Sequence, residues 1–203
     1  MKKNGRSICR ELGVVSWVVI AAGCGASTTQ AAGGNDGPHR SSRAGSVSMP
    51  DVEILSWDQT QKRREQFRNK VVVLDVWSTY CDPCIREFPN LVALQKRFGD
   101  KVVCISFDTD YSGAKDAPPA SFRKPVLKFL ADHHAFLFNV ISSDSSEEFY
   151  DRIRLGGPPA VFVYDRHGKL VKRFDNSRVP KVPEFSYQRD VVPLVERLLA
   201  GHK

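Results

Sequence analysis

The 203-residue chain has few cysteines, and only Cys81 and Cys84 are closely spaced. The other three are isolated in sequence: Cys9, Cys24 and Cys104. A structural zinc site usually takes two closely spaced Cys or His pairs. No second pair of that kind is present, since His133 and His134 are adjacent. We therefore expect no metal site and no cofactor, and the pair itself favours redox chemistry over zinc binding.

The chain also lacks a basic segment interleaved with aromatic residues after residue 50. Its formal net charge is +7, but residues 1–23 carry four basic and one acidic side chain and account for +3 of it. After residue 50 the chain has one short basic run, residues 62–64 (Lys-Arg-Arg), which is typical of a solvated helix face. The sequence therefore predicts no nucleic-acid binding. No internal repeat is present either.

The apolar run at residues 14–22 is too short for a comfortable membrane helix, which takes about 20 residues. It follows four basic residues and precedes small ones, the pattern of a secretory signal peptide. Residues 21–24 (Ala-Ala-Gly-Cys) resemble the lipobox of bacterial lipoproteins, although Ala21 stands where Leu is more common. We therefore expect residues 1–24 to be a lipoprotein-type signal peptide, with Cys24 as the lipid-anchor site.

Two alternatives to lipidation stay open: cleavage near Ala31 or Ala32, and an uncleaved anchor. Each of them, like lipidation, places the main domain outside the cytoplasm. Residues 25–50 are rich in Gly, Ser, Ala and Thr without apolar periodicity, which predicts a flexible linker. The folded domain is expected to occupy residues 51–203.

Residues 71–84 combine a buried strand with the cysteine pair. Residues 71–76 form an apolar, β-branched run interrupted only by Asp75, which predicts a buried strand. After the cysteines, apolar residues recur at spacings of three and four as far as residue 98, which predicts a helix. Cys81 therefore lies at a helix N-terminus, where unpaired N–H groups and the helix dipole favour a thiolate. A CxxC at such a junction is typical of a redox motif.

The segments on either side complete an α/β pattern. Residues 52–55 are expected to form an edge strand, followed by a helix to residue 67 capped by Asp58 or Thr60. A strand at 102–107 makes a βαβ unit with the first buried strand. The further predicted elements are an irregular stretch at 108–125, a helix at 126–132, a strand at 136–141, a helix at 145–154, a hairpin of strands 160–164 and 170–174, and a closing helix at 188–200.

From about residue 52 to residue 199 the chain resembles thioredoxin-fold proteins of the TlpA/ResA type. These are exported, often membrane-tethered thiol–disulfide oxidoreductases. Tyr80 departs from the family pattern, because Trp usually precedes the first cysteine. The resemblance implies an α/β thioredoxin fold with a central mixed β-sheet flanked by helices. Its motifs are residues 77–84 (Trp-Ser-Thr-Tyr-Cys-Asp-Pro-Cys), 86–89 (Arg-Glu-Phe-Pro), 157–158 (Gly-Pro) with Phe162 and Asp165, and 164–168 (Tyr-Asp-Arg-His-Gly).

In this interpretation the two cysteines act in sequence. Cys81 is exposed at the helix start and attacks, and Cys84, one turn further along, resolves the mixed disulfide. The resemblance makes Pro158 the cis proline facing the disulfide, beside a backbone edge open to a substrate chain. The resemblance places four residues in contact with substrate: Trp77, Tyr80, Gly157 and Pro158.

Two acidic residues are candidates for proton transfer. Asp75 lies mid-strand among apolar residues, where a lone carboxyl is costly unless it is neutral or partnered. In thioredoxins an acidic residue at the matching position relays a proton to the buried cysteine, and burial is expected to raise its pKa. The alternative is that Asp75 points to a polar surface. The resemblance matches Glu87 to an active-site glutamate, and a solvated helix residue is the equally open alternative.

Asp82 bears on the direction of electron transfer. Its carboxylate beside Cys81 disfavours the thiolate by like-charge repulsion, which makes the dithiol pair more reducing. The sequence therefore predicts a reductant. Cys104, in the middle of a strand, is expected to be an inert buried thiol.

These observations together predict an extracytoplasmic thiol–disulfide oxidoreductase that reduces exported proteins through its CxxC. The expected partners are proteins with disulfides or thiols, apocytochrome c among them as a family-based guess, an upstream membrane electron donor, and a membrane reached by the lipid anchor. One alternative is a thiol peroxidase, which a Ser-x-x-Cys at 78–81 favours, although Leu74 stands where peroxiredoxins have Pro. The other is a non-enzymatic copper or zinc carrier.

Overall fold

The computed structural model describes residues 49–175 and 184–201. The predicted signal peptide, Cys24 and nearly all of the predicted linker lie outside these residues. Within them, none of the helices has the length and apolar character that a membrane span requires.

Six strands of the described residues form one mixed sheet. Their order is β1-β4-β3-β2-β5-β6, in which β1, β4, β3 and β2 run parallel and β5 and β6 pair antiparallel. This arrangement confirms the predicted α/β thioredoxin fold, including the βαβ unit and the hairpin. The strands are β1 (Glu53–Leu55), β2 (Val71–Trp77), β3 (Val102–Asp108), β4 (Phe138–Ser142), β5 (Ala160–Tyr164) and β6 (Leu170–Asp175).

Helices flank both faces of the sheet. They are α1 (Trp57–Arg64), α2 (Asp82–Phe98), α3 (Arg123–Asp132), α4 (Ser146–Ile153) and α5 (Val192–Leu199). Short 3-10 turns cover Gly99–Lys101 and Pro119–Phe122, and a π-helical turn, Tyr187–Val191, leads into α5.

The start of α1 differs from the prediction. Its N-cap is Ser56, not Asp58 or Thr60, and the helix ends at Arg64. The Ser56 hydroxyl accepts from the Gln59 amide at 3.2 Å, and the Gln59 side chain accepts from the Ser56 amide at 2.8 Å. This reciprocal capping box satisfies two amides that a helix start otherwise leaves unpaired, which is why the helix begins there.

Prolines lie near the starts of two helices whose bounds differ from the prediction. Pro125 lies in the first turn of α3, where a missing N–H costs no hydrogen bond, so α3 begins at Arg123 rather than at residue 126. The closing helix begins as a π-turn, because Pro193 cannot donate the amide hydrogen bond of a regular helix across this point.

The central strand β2 divides the core into two layers. All seven of its residues are buried, and successive side chains point to opposite faces of the sheet. Val73 and Trp77 pack with residues of α2, α3 and α5, whereas Leu74 and Val76 pack with Phe107 and Phe149 on the other face. Asp75 alternates with Leu74 and Val76, so its side chain lies on the face that α2 and α5 cover.

Candidate active site

The two cysteines form a disulfide at the N-terminus of α2. Cys81 is the N-cap residue, and the amide of Cys84 donates to its Sγ atom at 3.3 Å. Cys81 is 9% exposed and Cys84 is 3% exposed, so both are buried in the disulfide form. The expectation that Cys81 is exposed was wrong, although it is the more accessible of the two. The helix start therefore directs an N–H group at the sulfur that the sequence predicts to be the nucleophile.

An open cleft of about 580 Å³ runs past Cys81. Its walls come from the loop before α2, the end of β3, the start of α4 and the loop before β5. The lining residues are Ser78, Tyr80, Cys81, Asp82, Pro83, Thr109, Asp110, Ser146, Tyr150 and Pro158. The cleft therefore borders the more accessible of the two sulfur atoms.

The cis peptide bond joins Pro158 to Pro159, so the cis proline is Pro159. The expectation that Pro158 is the cis proline was wrong. Two consecutive prolines carry the same local signal, and packing distinguishes them: Pro159 is buried, whereas Pro158 is half-buried and lines the cleft. Gly157 precedes them with a φ of 145°, a conformation that side chains disfavour.

The aromatic residues before Cys81 have opposite environments. Tyr80 is 82% exposed and lines the cleft, where the resemblance placed it. Trp77 has no exposed surface, and its indole N–H donates to Ser106 at 3.2 Å. It packs on Phe88 and Phe129, with ring centroids 4.9 and 4.6 Å away. The expectation that Trp77 touches substrate is therefore corrected, because β2 carries it into the core.

Asp75 is buried, which overturns the alternative that it points to a polar surface. It is 4% exposed, and the hydroxyl of Tyr187 donates to its Oδ2 atom at 2.8 Å. Burial raises the pKa of Asp75 to about 7, while the Tyr187 hydrogen bond lowers it and the charge of Glu87 adds a smaller rise. The group therefore titrates near neutral pH, as a proton relay requires.

Glu87 is half-buried on α2 and is not a freely solvated residue. Its Oε2 atom accepts from the amide of Tyr187 at 3.0 Å and from the side chain of Asn90 at 3.1 Å. Tyr187 thus contacts both acidic candidates, one through its hydroxyl and one through its amide. Sequence reasoning missed Tyr187, since the only signal was an aromatic residue with a polar tip just before the closing helix.

Sequence reasoning also missed Asp110, which accepts three hydrogen bonds from the loop before Cys81. Its Oδ1 atom accepts from the Ser78 hydroxyl at 2.7 Å and the Thr79 amide at 2.9 Å, and its Oδ2 atom accepts from the Thr79 hydroxyl at 2.5 Å. Ser78 in turn accepts from the amides of Tyr80 and Cys81, both at 3.1 Å. Asp110 therefore fixes the loop that presents the cysteine. It follows β3 by two residues, at the carboxyl end of a parallel strand.

Asp108 is the last residue of β3, and its side chain has no exposed surface. The Asp110 amide donates to its Oδ1 atom at 3.3 Å. Burial, followed by the negative charge of Asp110, raises the pKa of Asp108 well above its usual range. Its surroundings therefore favour the neutral form of the Asp108 carboxyl. In the part of the chain that the structure covers, no cluster of three or more Cys, His, Asp or Glu residues is arranged to hold a metal ion.

Cys104 is a free thiol in β3 with no exposed surface. Burial, and secondarily the charge of Asp75, raises the pKa of this thiol well above its usual value. A buried thiol of that kind does not form the reactive thiolate at neutral pH, which agrees with the inert role predicted for it.

The family model described as Redoxin matches residues 44–188, well over half of the chain. The chain belongs to the redoxin family. The thiol-disulfide oxidoreductase ResA of Geobacillus thermodenitrificans is 23% identical over 128 residues, which cover 62% of this chain and 66%, just under two thirds, of that relative. This similarity confirms the resemblance to TlpA/ResA-type proteins.

Two solved structures have the same fold as this chain. An oxidized thioredoxin-like protein has a TM-score of 0.52 at 20% identity, and the match covers 69% of this chain and 85% of that one. A thiol-disulfide isomerase from Corynebacterium glutamicum also has a TM-score of 0.52, at 15% identity, with 76% of this chain and 97% of that one covered. At these identities the structural likeness establishes the fold.

Proposed function

We propose that this redoxin-family protein is an extracytoplasmic thiol–disulfide oxidoreductase that reduces disulfides in exported proteins. One observation carries the proposal: the Cys81–Cys84 disulfide closes at the start of α2, beside an open cleft that Cys81 lines. The ResA relatives, which are named for this activity, support it. The disulfide is the oxidised end of the reaction cycle, and the dithiol is the form that acts on substrate.

In the first step the Cys81 thiolate attacks one sulfur of a substrate disulfide. A mixed disulfide forms between Cys81 and the substrate, and the second substrate sulfur leaves as a thiolate. The N–H of Cys84, 3.3 Å from the Cys81 sulfur, and the helix dipole stabilise the attacking thiolate. The exposed ring of Tyr80 and the ring of Pro158 line the approach to it.

In the second step Cys84 attacks the sulfur of Cys81 and releases the substrate as a dithiol. Cys84 is buried and must lose its proton first, and Asp75 accepts that proton as a general base. Over these two steps the protein loses two electrons and two protons, and the substrate disulfide gains them. A pKa of about 7 lets Asp75 hold and release the proton near neutral pH.

The direction of electron transfer follows from the residue at the start of α2. Asp82, the first residue of α2, is exposed beside Cys81 and repels its thiolate. A less stable thiolate leaves less readily, so the dithiol form is the stronger reductant. A membrane electron donor then returns the disulfide to the dithiol, and apocytochrome c is one candidate substrate.

Export and anchoring are the remaining parts of the proposal. The basic and apolar pattern of residues 1–22 supports export, and Cys24 is the proposed lipid-anchor site. Residues 25–50 then link the domain to the outer face of the cell membrane. Disulfides form and persist in that compartment, so a reductant has substrates there.

A trapping experiment tests the activity. In the full chain, Cys84→Ser removes the resolving sulfur and is expected to hold substrates on Cys81 as mixed disulfides. Adducts from cell-envelope extracts are released by dithiothreitol and identified by mass spectrometry. Cys104→Ser, which changes a buried thiol, is the matched control and is expected to trap nothing.

Two outcomes would overturn the proposal. One is a Cys84→Ser protein that traps no more than the variant lacking both cysteines. The other is a wild-type protein that consumes hydrogen peroxide efficiently but leaves the disulfides of insulin intact.

A further inference from the structure

We infer that Tyr187 is a positioning residue of the dithiol reaction, whose hydroxyl holds the Asp75 carboxylate ready to accept the proton of Cys84. The inference rests on the proposed function, because it takes Asp75 as the base of the resolving step. It adds a residue from the C-terminal segment, more than 100 positions beyond the cysteines in sequence.

The contact is buried at both ends. The Tyr187 hydroxyl donates to Asp75 Oδ2 at 2.8 Å, and the two residues are 112 positions apart in sequence. Tyr187 is 1% exposed. Among residues 49–175 and 184–201, this hydroxyl is the hydrogen-bond partner of the Asp75 side chain. The hydroxyl therefore supplies a hydrogen bond that an ionised carboxylate needs in a buried site.

The other titratable groups that face Asp75 oppose its ionisation. Glu87 on α2 contributes a like charge, and the thiol of Cys104 on β3 becomes a second one if it ionises. Tyr187, in contrast, donates a hydrogen bond to Asp75. A hydrogen bond to the charged form of a group favours that form. The Tyr187 hydroxyl therefore stabilises the ionised Asp75 carboxylate and allows it to form near neutral pH.

Tyr187 is itself fixed by the chain around it. Its amide donates to Glu87 at 3.0 Å, which ties the π-helical turn to α2, the helix that carries Cys84. Ser186 accepts from the amide of Arg189 at 3.3 Å, and its own amide donates to Asp190 at 2.9 Å. These bonds hold the phenol in place, so its hydroxyl needs no rearrangement to reach Asp75.

The first test measures the titration of Asp75 directly. In oxidised protein the two active-site cysteines do not titrate, so the ¹³C signal of the Asp75 carboxyl reports this group alone. Tyr187→Phe removes the donor and is expected to raise the pKa of Asp75 from about 7 by about one further unit. Tyr164→Phe is the matched control, since Tyr164 is also buried but donates to Gln61 at 3.3 Å.

The second test follows the resolving step in reduced protein. The rate at which the mixed disulfide with glutathione resolves is expected to rise with pH as Asp75 ionises. Tyr187→Phe moves the midpoint of this profile upward by about one unit, so the rate below the midpoint falls about tenfold, and the plateau at high pH is kept. In an Asp75→Asn background the same substitution is expected to change nothing.

A third variant is expected to shift the pKa of Asp75 in the opposite direction. Site-specific 3-fluorotyrosine at position 187 keeps the shape of the ring but has a more acidic, stronger hydroxyl donor. It is expected to lower the pKa of Asp75, whereas a purely structural role for the ring would leave this pKa unchanged. Tyr187 stays neutral in both forms, since burial raises its own pKa well above the usual value.

An unchanged Asp75 titration in Tyr187→Phe would overturn the inference. A shift of the pH–rate profile that persists in the Asp75→Asn background would also overturn it. Failure of the proposed function has a different signature, because it would make the wild-type protein inactive toward disulfides while the carboxyl titration still reported the Tyr187 contact.

Discussion

The hydroxyl of Ser78 donates a 2.7 Å hydrogen bond to Asp110, 32 residues further along the chain. The bond ties the loop before the cysteine pair to the loop after β3. Together with the two bonds from Thr79, it immobilises the segment that leads to Cys81. The position of the attacking sulfur therefore depends on a carboxylate from the loop after β3.

Removal of this carboxylate is expected to slow attack on substrate. Asp110→Ala removes the acceptor of all three hydrogen bonds, and misplacement of a reacting group by about 1 Å costs on the order of 100-fold in rate. We expect a loss of about 10- to 100-fold in kcat/KM for disulfide reduction. Asp110→Asn keeps an acceptor for Ser78 and a donor for the Thr79 hydroxyl, and is expected to retain most of the activity.

Asp116→Ala, at an exposed position of the same connection, serves as the control for Asp110. Single-turnover rates of mixed-disulfide formation measure the effect on attack, apart from resolution. Equal rates in Asp110→Ala and wild type would show that the loop holds its geometry without the carboxylate.

Asp75 is expected to make the protein less stable as pH rises. The pKa of its carboxyl is raised from 3.8 to about 7 in the folded protein, so the native state binds more protons than the unfolded chain between these values. The free energy of unfolding therefore falls as pH rises through this window and is constant above it. At about 1.4 kcal/mol per pKa unit, the cost of ionised Asp75 is about 4 kcal/mol above pH 7.

Asp75→Asn cannot ionise and is expected to be more stable than wild type by about 4 kcal/mol at pH 8, with a difference below about 1 kcal/mol at pH 4. Urea unfolding of the oxidised protein at both pH values measures this change. Asp100→Asn, at an exposed position, is the control. A gain of the same size at pH 4 would mean that packing, rather than ionisation, causes it.

Tyr80 is expected to contribute to protein recognition rather than to chemistry. Its side chain is 82% exposed beside the disulfide, where an aromatic ring offers apolar contact to a bound polypeptide. Tyr80→Ala is expected to raise KM for a protein disulfide by about 5- to 10-fold, which corresponds to roughly 1 kcal/mol of lost contact. The kcat value, and the rate with glutathione disulfide, are expected to change by less than about twofold.

Tyr111→Ala changes a tyrosine that does not line this cleft and is the matched comparison. A fall in kcat with an unchanged KM would assign Tyr80 to the chemical step instead.

Much of the fold could be predicted because its signals are local. The apolar run of β2, the periodic apolar face of α2 and the hairpin of β5 and β6 each reflect a period that neighbouring residues set. The burial of Asp75 was predictable for the same reason, since apolar residues surround it in the strand. The start of α1 was mispredicted because the Ser-x-x-Gln capping box was overlooked, although it is present in the sequence.

The cysteine pair at the strand-to-helix junction was determined by the sequence itself. Spacing and helix geometry alone place Cys81 at the N-cap and Cys84 one turn inside. The environment of that pair was decided by the tertiary structure. Tyr187 and Asp110 meet Asp75 and Ser78 only after the sheet has assembled, across 112 and 32 residues of chain. The core position of Trp77 and the choice of Pro159 over Pro158 also depend on packing. Local propensity acts within a few residues, whereas these contacts require distant strands and helices to be brought together by burial of the core.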